Sequence, residues 1–121
     1  MADSKILLVD DDEDYATSMA ELLEGEGLGE ILLAKNGKEA LTVLRELHEP
    51  PCMILLDLAM PQMDGRELLG KLEGRLAEIP VIVCSGQKSV QSPQVVAQLP
   101  KPVDIEKLLE LCTRLARRKE G

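Results

Sequence analysis

At 121 residues the chain has room for one domain and for a core that removes roughly two thirds of its unfolded surface from water. Its 45% apolar and 30% charged residues are the balance of a folded globular protein, not a disordered one, and no apolar run nears the ~18 residues of a membrane span. Twenty-two acidic against 14 basic side chains, a formal charge of −8, repel phosphate backbones and anionic lipid, which argues against nucleic acid or membrane as a direct partner.

Strand-like and helix-like patterns alternate along the chain. Lys5–Val9 (KILLV) is a short continuous apolar run, as expected of a strand covered on both faces. Glu13–Glu24 carries Tyr15, Met19, Leu22 and Leu23 at helical spacing, and Gly25, Gly27 and Gly29 end it. Glu30–Ala34 (EILLA) reads as a second strand. Asn36-Gly37 opens a helix with Ala40, Leu41, Leu44 and Leu47 on one side, stopped by Pro50-Pro51. Cys52–Leu56 (CMILL) is a third buried strand, followed by a helix opened by Asp64-Gly65 and carrying Leu68, Leu69 and Leu72. Pro80–Cys84 (PVIVC) is a fourth strand. Leu99–Pro102 marks a short fifth, and Asp104 N-caps a last helix with Ile105, Leu108, Leu109, Cys112 and Leu115 on one face.

Five strands alternating with five helices predict an α/β fold, a parallel sheet with helices on both faces. The chain is expected to be a single domain over 1–121, with its core at about 5–116 and a frayed tail or the start of a linker at 117–121. The N-terminus shows no basic region followed by an apolar stretch and a cleavage site, so a cytoplasmic location is expected. Three cysteines, an odd number without zinc spacing, read as buried small hydrophobes in a reducing compartment. With no Phe, no Trp and one tyrosine, the core falls to Leu, Ile, Val, Met and Ala.

In such a sheet ligands sit beyond the carboxyl ends of the strands. The first strand ends in Asp10-Asp11-Asp12-Glu13-Asp14, the third in Asp57 and the fourth in Ser85-Gly86, and Lys101-Pro102 follows the fifth. Each piece alone is ordinary: an acidic run favours a helix dipole, a single Asp is a turn residue or a cap, and Ser-Gly is a turn. The signal is their joint placement. Two carboxylates about 4 Å apart repel by about 4 kcal/mol at an effective dielectric near 20, so a cluster needs a cation or takes up protons. A hard divalent ion, Mg²⁺ (or Mn²⁺), suits oxygen ligands. Such an ion with a lysine and a hydroxyl nearby is equipment for moving a phosphoryl group, and a carboxylate can itself be the nucleophile.

The chain resembles the response-regulator receiver domain of two-component signalling over roughly Lys5 to Ala116. Leu55–Gly65 (LLDLAMPQMDG) looks like the segment around that family's phosphorylated aspartate, and Ile6–Asp11 (ILLVDD) is similar to its opening strand with an acidic pair. The resemblance implies a doubly wound, flavodoxin-like sheet of order 2-1-3-4-5. It implies Asp57 as phosphoacceptor, Mg²⁺ held by Asp10, Asp11, Asp57 and the carbonyl of Ala59, Ser85 as the phosphoryl-binding switch residue, and Lys101 as partner of a phosphoryl oxygen. Gly86 leaves the phosphate unobstructed, and the Lys101-Pro102 bond is expected to be cis. The implied function is a phosphoacceptor switch fed by a histidine kinase or phosphotransfer protein and read by a downstream target or an output domain. It is not an enzyme beyond its own phosphorylation and dephosphorylation.

Two departures stand out. Only 15 residues separate Ser85 from Lys101, and Pro93 limits what they can build; Ser92 as cap predicts a stunted or irregular fourth helix over Pro93–Gln98. Gln98 stands three residues before the lysine, where the family carries an aromatic, so an unusual output surface is expected. Two other readings compete. One is a docking module that takes no phosphoryl group. The other is a phosphatase like the haloacid dehalogenases, with Asp10 as nucleophile, Asp12 as acid, and Ser85 and Lys101 in support; against it, no acidic pair follows Lys101 and there is no room for a cap domain. His48 reads as a helix-end residue, Tyr15 as a helix-face residue near the site, and the Gly25–Gly29 segment as a helix cap and turn.

Overall fold

In the computed structural model residues 5–57, 65–85 and 92–120 are described, with 65, 85 and 116–120 described by their backbone alone. Five strands form one parallel sheet: β1 (Lys5–Val9), β2 (Glu30–Ala34), β3 (Met53–Leu56), β4 (Val81–Ser85) and β5 (Val95–Pro100). Their order is β2-β1-β3-β4-β5, the doubly wound arrangement expected. Among the described residues the helices are α1 (Glu13–Gly25), α2 (Gly37–Glu46), α3 (Gly65–Lys71) and α4 (Ile105–Glu120), with a short 3-10 helix at Gly74–Glu78.

The continuous apolar runs have a simple cause. Successive side chains of a strand point to opposite faces, and here both faces are covered. Ile6 and Leu8 of β1 pack with Met19 and Leu23 of α1 and with Leu108 and Cys112 of α4. Leu7 and Val9 pack with Leu41 and Leu44 of α2 and Leu68 of α3. Ile6–Val9 of β1 and Met53–Leu56 of β3 are accordingly all apolar and buried, and the first polar residues after these runs are Asp10 and Asp57.

Local chemistry sets the helix ends. Asp12, Asn36 and Asp104 each accept a backbone N–H from the first turn that follows them, at 3.0, 2.8 and 3.2 Å. Gly27 and Gly29, at φ 78° and 107°, make the left-handed turn that frees the chain after α1. α2 stops at Glu46, before the expected Leu47, which is already extended. Pro50-Pro51 disfavours helical backbone in the residues before it, and His48 therefore lies beyond the helix.

The segment before Lys101 differs most from expectation. Residues 86–91 lie outside the described residues. Pro93 and Gln94 form a turn, not the start of a helix, and Val95–Pro100 is strand β5, longer and earlier than the Leu99–Pro102 expected. The Ser-Pro start signal loses to β-branched Val95 and Val96 and to the open edge of β4. Ser92 Oγ accepts from Gln94 N at 3.3 Å, a turn rather than a helix cap. The Gln94 side chain donates to the carbonyls of Leu76 and Ile79 at 2.8 and 2.9 Å, which pins the start of β5 to the 3-10 helix. Register passes from Val95↔Val81 to Ala97↔Ile82, so Val96 is an extra, bulged residue on the edge strand.

Leu55 lies in the middle of β3 with 1% of its surface exposed. Leu55→Ala leaves a cavity between the central strand and the α1/α4 side and is expected to lower stability by about 2–5 kcal/mol. Urea unfolding should show this as a lower midpoint at an unchanged slope.

Candidate functional site

The site is assembled by strand register. Val9 pairs with Leu56, so the next residue of each strand, Asp10 and Asp57, emerge side by side. The ladder continues into both: Asp57 N donates to Val9 O and Asp10 N to Ala34 O, each at 3.0 Å. Asp10 is 4% and Asp57 7% exposed, the buried charged residues of a core that is otherwise apolar. Carboxylate oxygens of Asp10, Asp11 and Asp57 lie within 4.8 Å of one another, with Asp11 on the exposed rim. The acidic run thus divides its work. Asp10 and Asp11 join the cluster, Asp12 caps α1 by accepting from Tyr15 N, and Glu13 and Asp14 fill the first turn, where the helix dipole favours anions.

Lys101 arrives from the other side of the sheet, one residue past β5. Its Nζ lies 3.4 Å from Asp57 Oδ2 and 3.6 Å from Asp10 Oδ2. Asp10 Oδ1 accepts from Asp12 N at 2.9 Å. The Lys101-Pro102 peptide is cis, as expected. Tyr15, one turn into α1, presents its ring to the same ammonium group, Nζ standing 5.5 Å from the ring centroid. The site also borders a small cavity beside Tyr15, Met19, Cys84 and Leu108.

Burial dominates the electrostatics. It pushes the Asp10 carboxyl above its ordinary value, further than the Asp12 N–H and the Lys101 charge pull it down. Burial alone would lower Lys101, but the Asp10 and Asp57 carboxylates outweigh it and hold the ammonium charged beyond the usual lysine range. Burial raises the Tyr15 phenol, with the Cys84 sulfur adding to the effect. The buried thiols of Cys84 and Cys112 are pushed up to about 11 and about 12, so they are inert hydrophobes. All three cysteines are buried, as expected, and none is in a disulfide.

Of the residues singled out in the sequence, Asp10, Asp11, Asp57 and Lys101 are brought together. Ser85 ends β4 paired with Pro100, beside the strand that delivers Lys101; its side chain, and Ala59 and Gly86 entirely, lie outside the described residues. Gln98 pairs with Val83 and is exposed on β5. Asp12 caps α1, and its carboxylate is not among the oxygens that cluster with Asp57. Sequence reasoning placed Tyr15 near the site but missed its contact with Lys101, because helix periodicity does not say which strand end a side chain will meet. The arrangement has three carboxylates against one ammonium, a formal −2 in a half-buried cup of oxygen donors. Such a cup suits a hard divalent cation, and one of its carboxylates, Asp57, carries a lysine ready for an anion.

Comparison with known proteins agrees with this geometry. The family model described as the response regulator receiver domain matches residues 6–113. Response regulator MprA of Mycobacterium tuberculosis is 34% identical over 121 residues, covering 94% of this chain and 51% of that protein. The chain therefore spans about half the length of this relative. The receiver domain of Francisella response regulator 1452 superimposes with a TM-score of 0.83 at 28% identity, covering 97% of this chain and 99% of that one. The receiver domain of the hybrid histidine kinase CckA gives a TM-score of 0.81 at 34% identity, covering 93% and 99%. Among the described residues no helix is long and apolar enough to cross a membrane. By sequence match over most of its length and by fold, the chain belongs to the response regulator receiver domains of two-component signalling.

Proposed function

We propose that the chain is a phosphoacceptor switch, taking a phosphoryl group from the phosphohistidine of a kinase or phosphotransfer protein onto Asp57. The observation that carries this reading is the position of Lys101 Nζ, 3.4 Å from Asp57 Oδ2, at the edge of a three-carboxylate cluster. An Asp57 oxygen attacks phosphorus, the P–N bond of the donor breaks, and its electron pair returns to the imidazole. Asp57 now carries a phosphoryl group whose oxygens bear the charge, and the Lys101 ammonium is placed to pair with one of them. Ser85, at the end of β4, is the residue assigned to bind the phosphoryl group and pass its presence to the following segment, with Gly86 beside it leaving space.

The donor set fits a divalent ion: oxygen ligands, an excess of negative charge, and an exposed rim at Asp11 through which the ion keeps some of its water. Asp10, Asp11 and Asp57 would hold Mg²⁺ or Mn²⁺, with the Ala59 carbonyl a further ligand by family resemblance. When bound, the ion supplies positive charge against the charge that develops on the phosphoryl oxygens. The chain's own part is to hold Asp57 at the carboxyl edge of β3, with Lys101 beside it. Downstream, the bound phosphoryl group changes a protein-binding surface, read by a separate target or by an output domain in the same protein. No direct nucleic-acid or membrane contact is part of this reading, and the reaction is confined to the chain's own phosphorylation and dephosphorylation.

Incubation with acetyl phosphate and Mg²⁺, followed by intact mass spectrometry, should show one phosphoryl adduct that chelation and Asp57→Asn both abolish. No adduct, or one that survives Asp57→Asn, overturns the reading in favour of a phosphorylation-independent docking module.

The raised Asp10 carboxyl gives a second expectation. The folded state binds this proton more tightly than the unfolded state does, so Asp10 costs stability as the pH rises above 3.8 and the cost stays in place at neutral pH. Without divalent ion, Asp10→Asn should therefore melt above the wild type at pH 7, and the gap should close as the pH falls toward 3.8. Added Mg²⁺ should stabilise the wild type by about 2.7 kcal/mol at a hundredfold excess over Kd, seen as a higher melting temperature, and stabilise the variant much less.

A further inference from the structure

We propose that Tyr15 is a positioning residue for Lys101, its ring holding the ammonium group over the carboxylate cluster in the place from which it can pair with a phosphoryl oxygen. The phosphoryl part of this assignment rests on the phosphoacceptor reading; the Tyr15–Lys101 contact itself does not. Tyr15 is the one Phe, Tyr or Trp side chain in 121 residues. A ring is thus not the protein's general packing material, and the one it has borders the site.

The position of the ring is set locally. Asp12 accepts from Tyr15 N at 3.0 Å, which starts α1 at Glu13 and turns the third helical residue toward the carboxyl edge of the sheet. The body of the ring packs against the α1/α4 side of the core. Its face meets Lys101 Nζ at 5.5 Å, inside the ~6 Å range in which a cation is attracted to an aromatic quadrupole.

Lys101 needs such a guide. Its ammonium stands on a flexible four-carbon stem, and its side chain is 34% exposed. The two carboxylate oxygens that attract it lie at 3.4 and 3.6 Å, longer than the ~2.7–2.9 Å of a closely seated charge-assisted hydrogen bond. The ammonium lies between the two, in a long hydrogen bond to Asp57 and near Asp10. The ring supplies a third point of attraction, from α1. An aliphatic side chain in the same place would fill the volume and offer no attraction to a cation.

The test uses the whole chain with Tyr15→Leu and Tyr15→Phe. Lysine-labelled NMR, without divalent ion or phosphoryl mimic, should show Lys101 methylene resonances shifted upfield by the ring in the wild type and in Tyr15→Phe, but not in Tyr15→Leu. Titrations with Mg²⁺ alone, and with beryllofluoride at saturating Mg²⁺, should show the ratio of beryllofluoride to Mg²⁺ affinity falling about two- to five-fold in Tyr15→Leu, the fold-change of a cation–π contact worth ~0.5–1 kcal/mol, and returning in Tyr15→Phe. A wild-type Lys101 without the upfield shift overturns the proposal and needs no variant to fold. So does a Tyr15→Leu protein that loses both affinities in proportion, since that is the mark of packing alone. A wild type that shows the shift but binds no beryllofluoride removes the phosphoacceptor reading while leaving the Tyr15–Lys101 contact standing.

Discussion

Asp10 and Asp57 stand next to each other because β1 and β3 are in register, Val9 opposite Leu56, and both strands are apolar up to the same level of the sheet. Two buried carboxylates in that position repel, and the Asp12 N–H bonded to Asp10 offsets only part of the cost. The hydrophobic sandwich on either side holds them there. Ile6, Leu7, Leu8 and Val9 of β1, with Met53 to Leu56 of β3, are each at most 5% exposed, and burying such side chains contributes about 1.5–3 kcal/mol apiece. The core therefore outweighs the cost of one raised carboxyl. A cluster of excess negative charge results, ready to take up positive charge, and every functional property argued above follows from it.

Lys101 is the chain's own answer to that excess, and its reach explains its identity. β5 is separated from β3 by β4, so a side chain leaving the end of β5 must cross a strand to meet Asp57. A lysine stem spans that gap and carries a compact charge with donors that can turn from carboxylate to phosphoryl oxygen. The register of β5 thus matters to the site. The bulge at Val96 and the Gln94 contacts with the 3-10 helix determine where β5 begins, and Leu99↔Cys84 and Pro100↔Ser85 determine where it ends.

The segment from Ser92 to Pro100 departs from the helix expected there. Pro93 and Gln94 turn, and Val95 is already strand, so the sheet gains at its edge what the expected helix would have used. Exposed Gln98 sits on this edge strand, paired with buried Val83. Composition could not foresee it. The segment from Ser92 to Leu99 carries a proline suited to a helix start and two β-branched residues suited to a strand. The decision fell to the unpaired edge of β4, which is a tertiary feature.

Much of the remainder was legible in the residues themselves. Runs such as ILLV and MILL are strands because four consecutive apolar residues need cover on both faces. Asn36 opens a helix and Asp104 caps one because short oxygen-bearing side chains satisfy the first free N–H groups of a helix, and runs and caps alike are properties of a few neighbouring residues. The chain order of strands and helices, and the listing of acids at strand ends, follow from them. Which acids meet and which side chain lies against Lys101 depend on contacts between residues distant along the chain: Asp10 with Asp57, Tyr15 with Lys101. Local sequence dictates dihedral angles and burial preference; only the packed sheet sets distances between strand ends, and the chemistry of this protein depends on those distances.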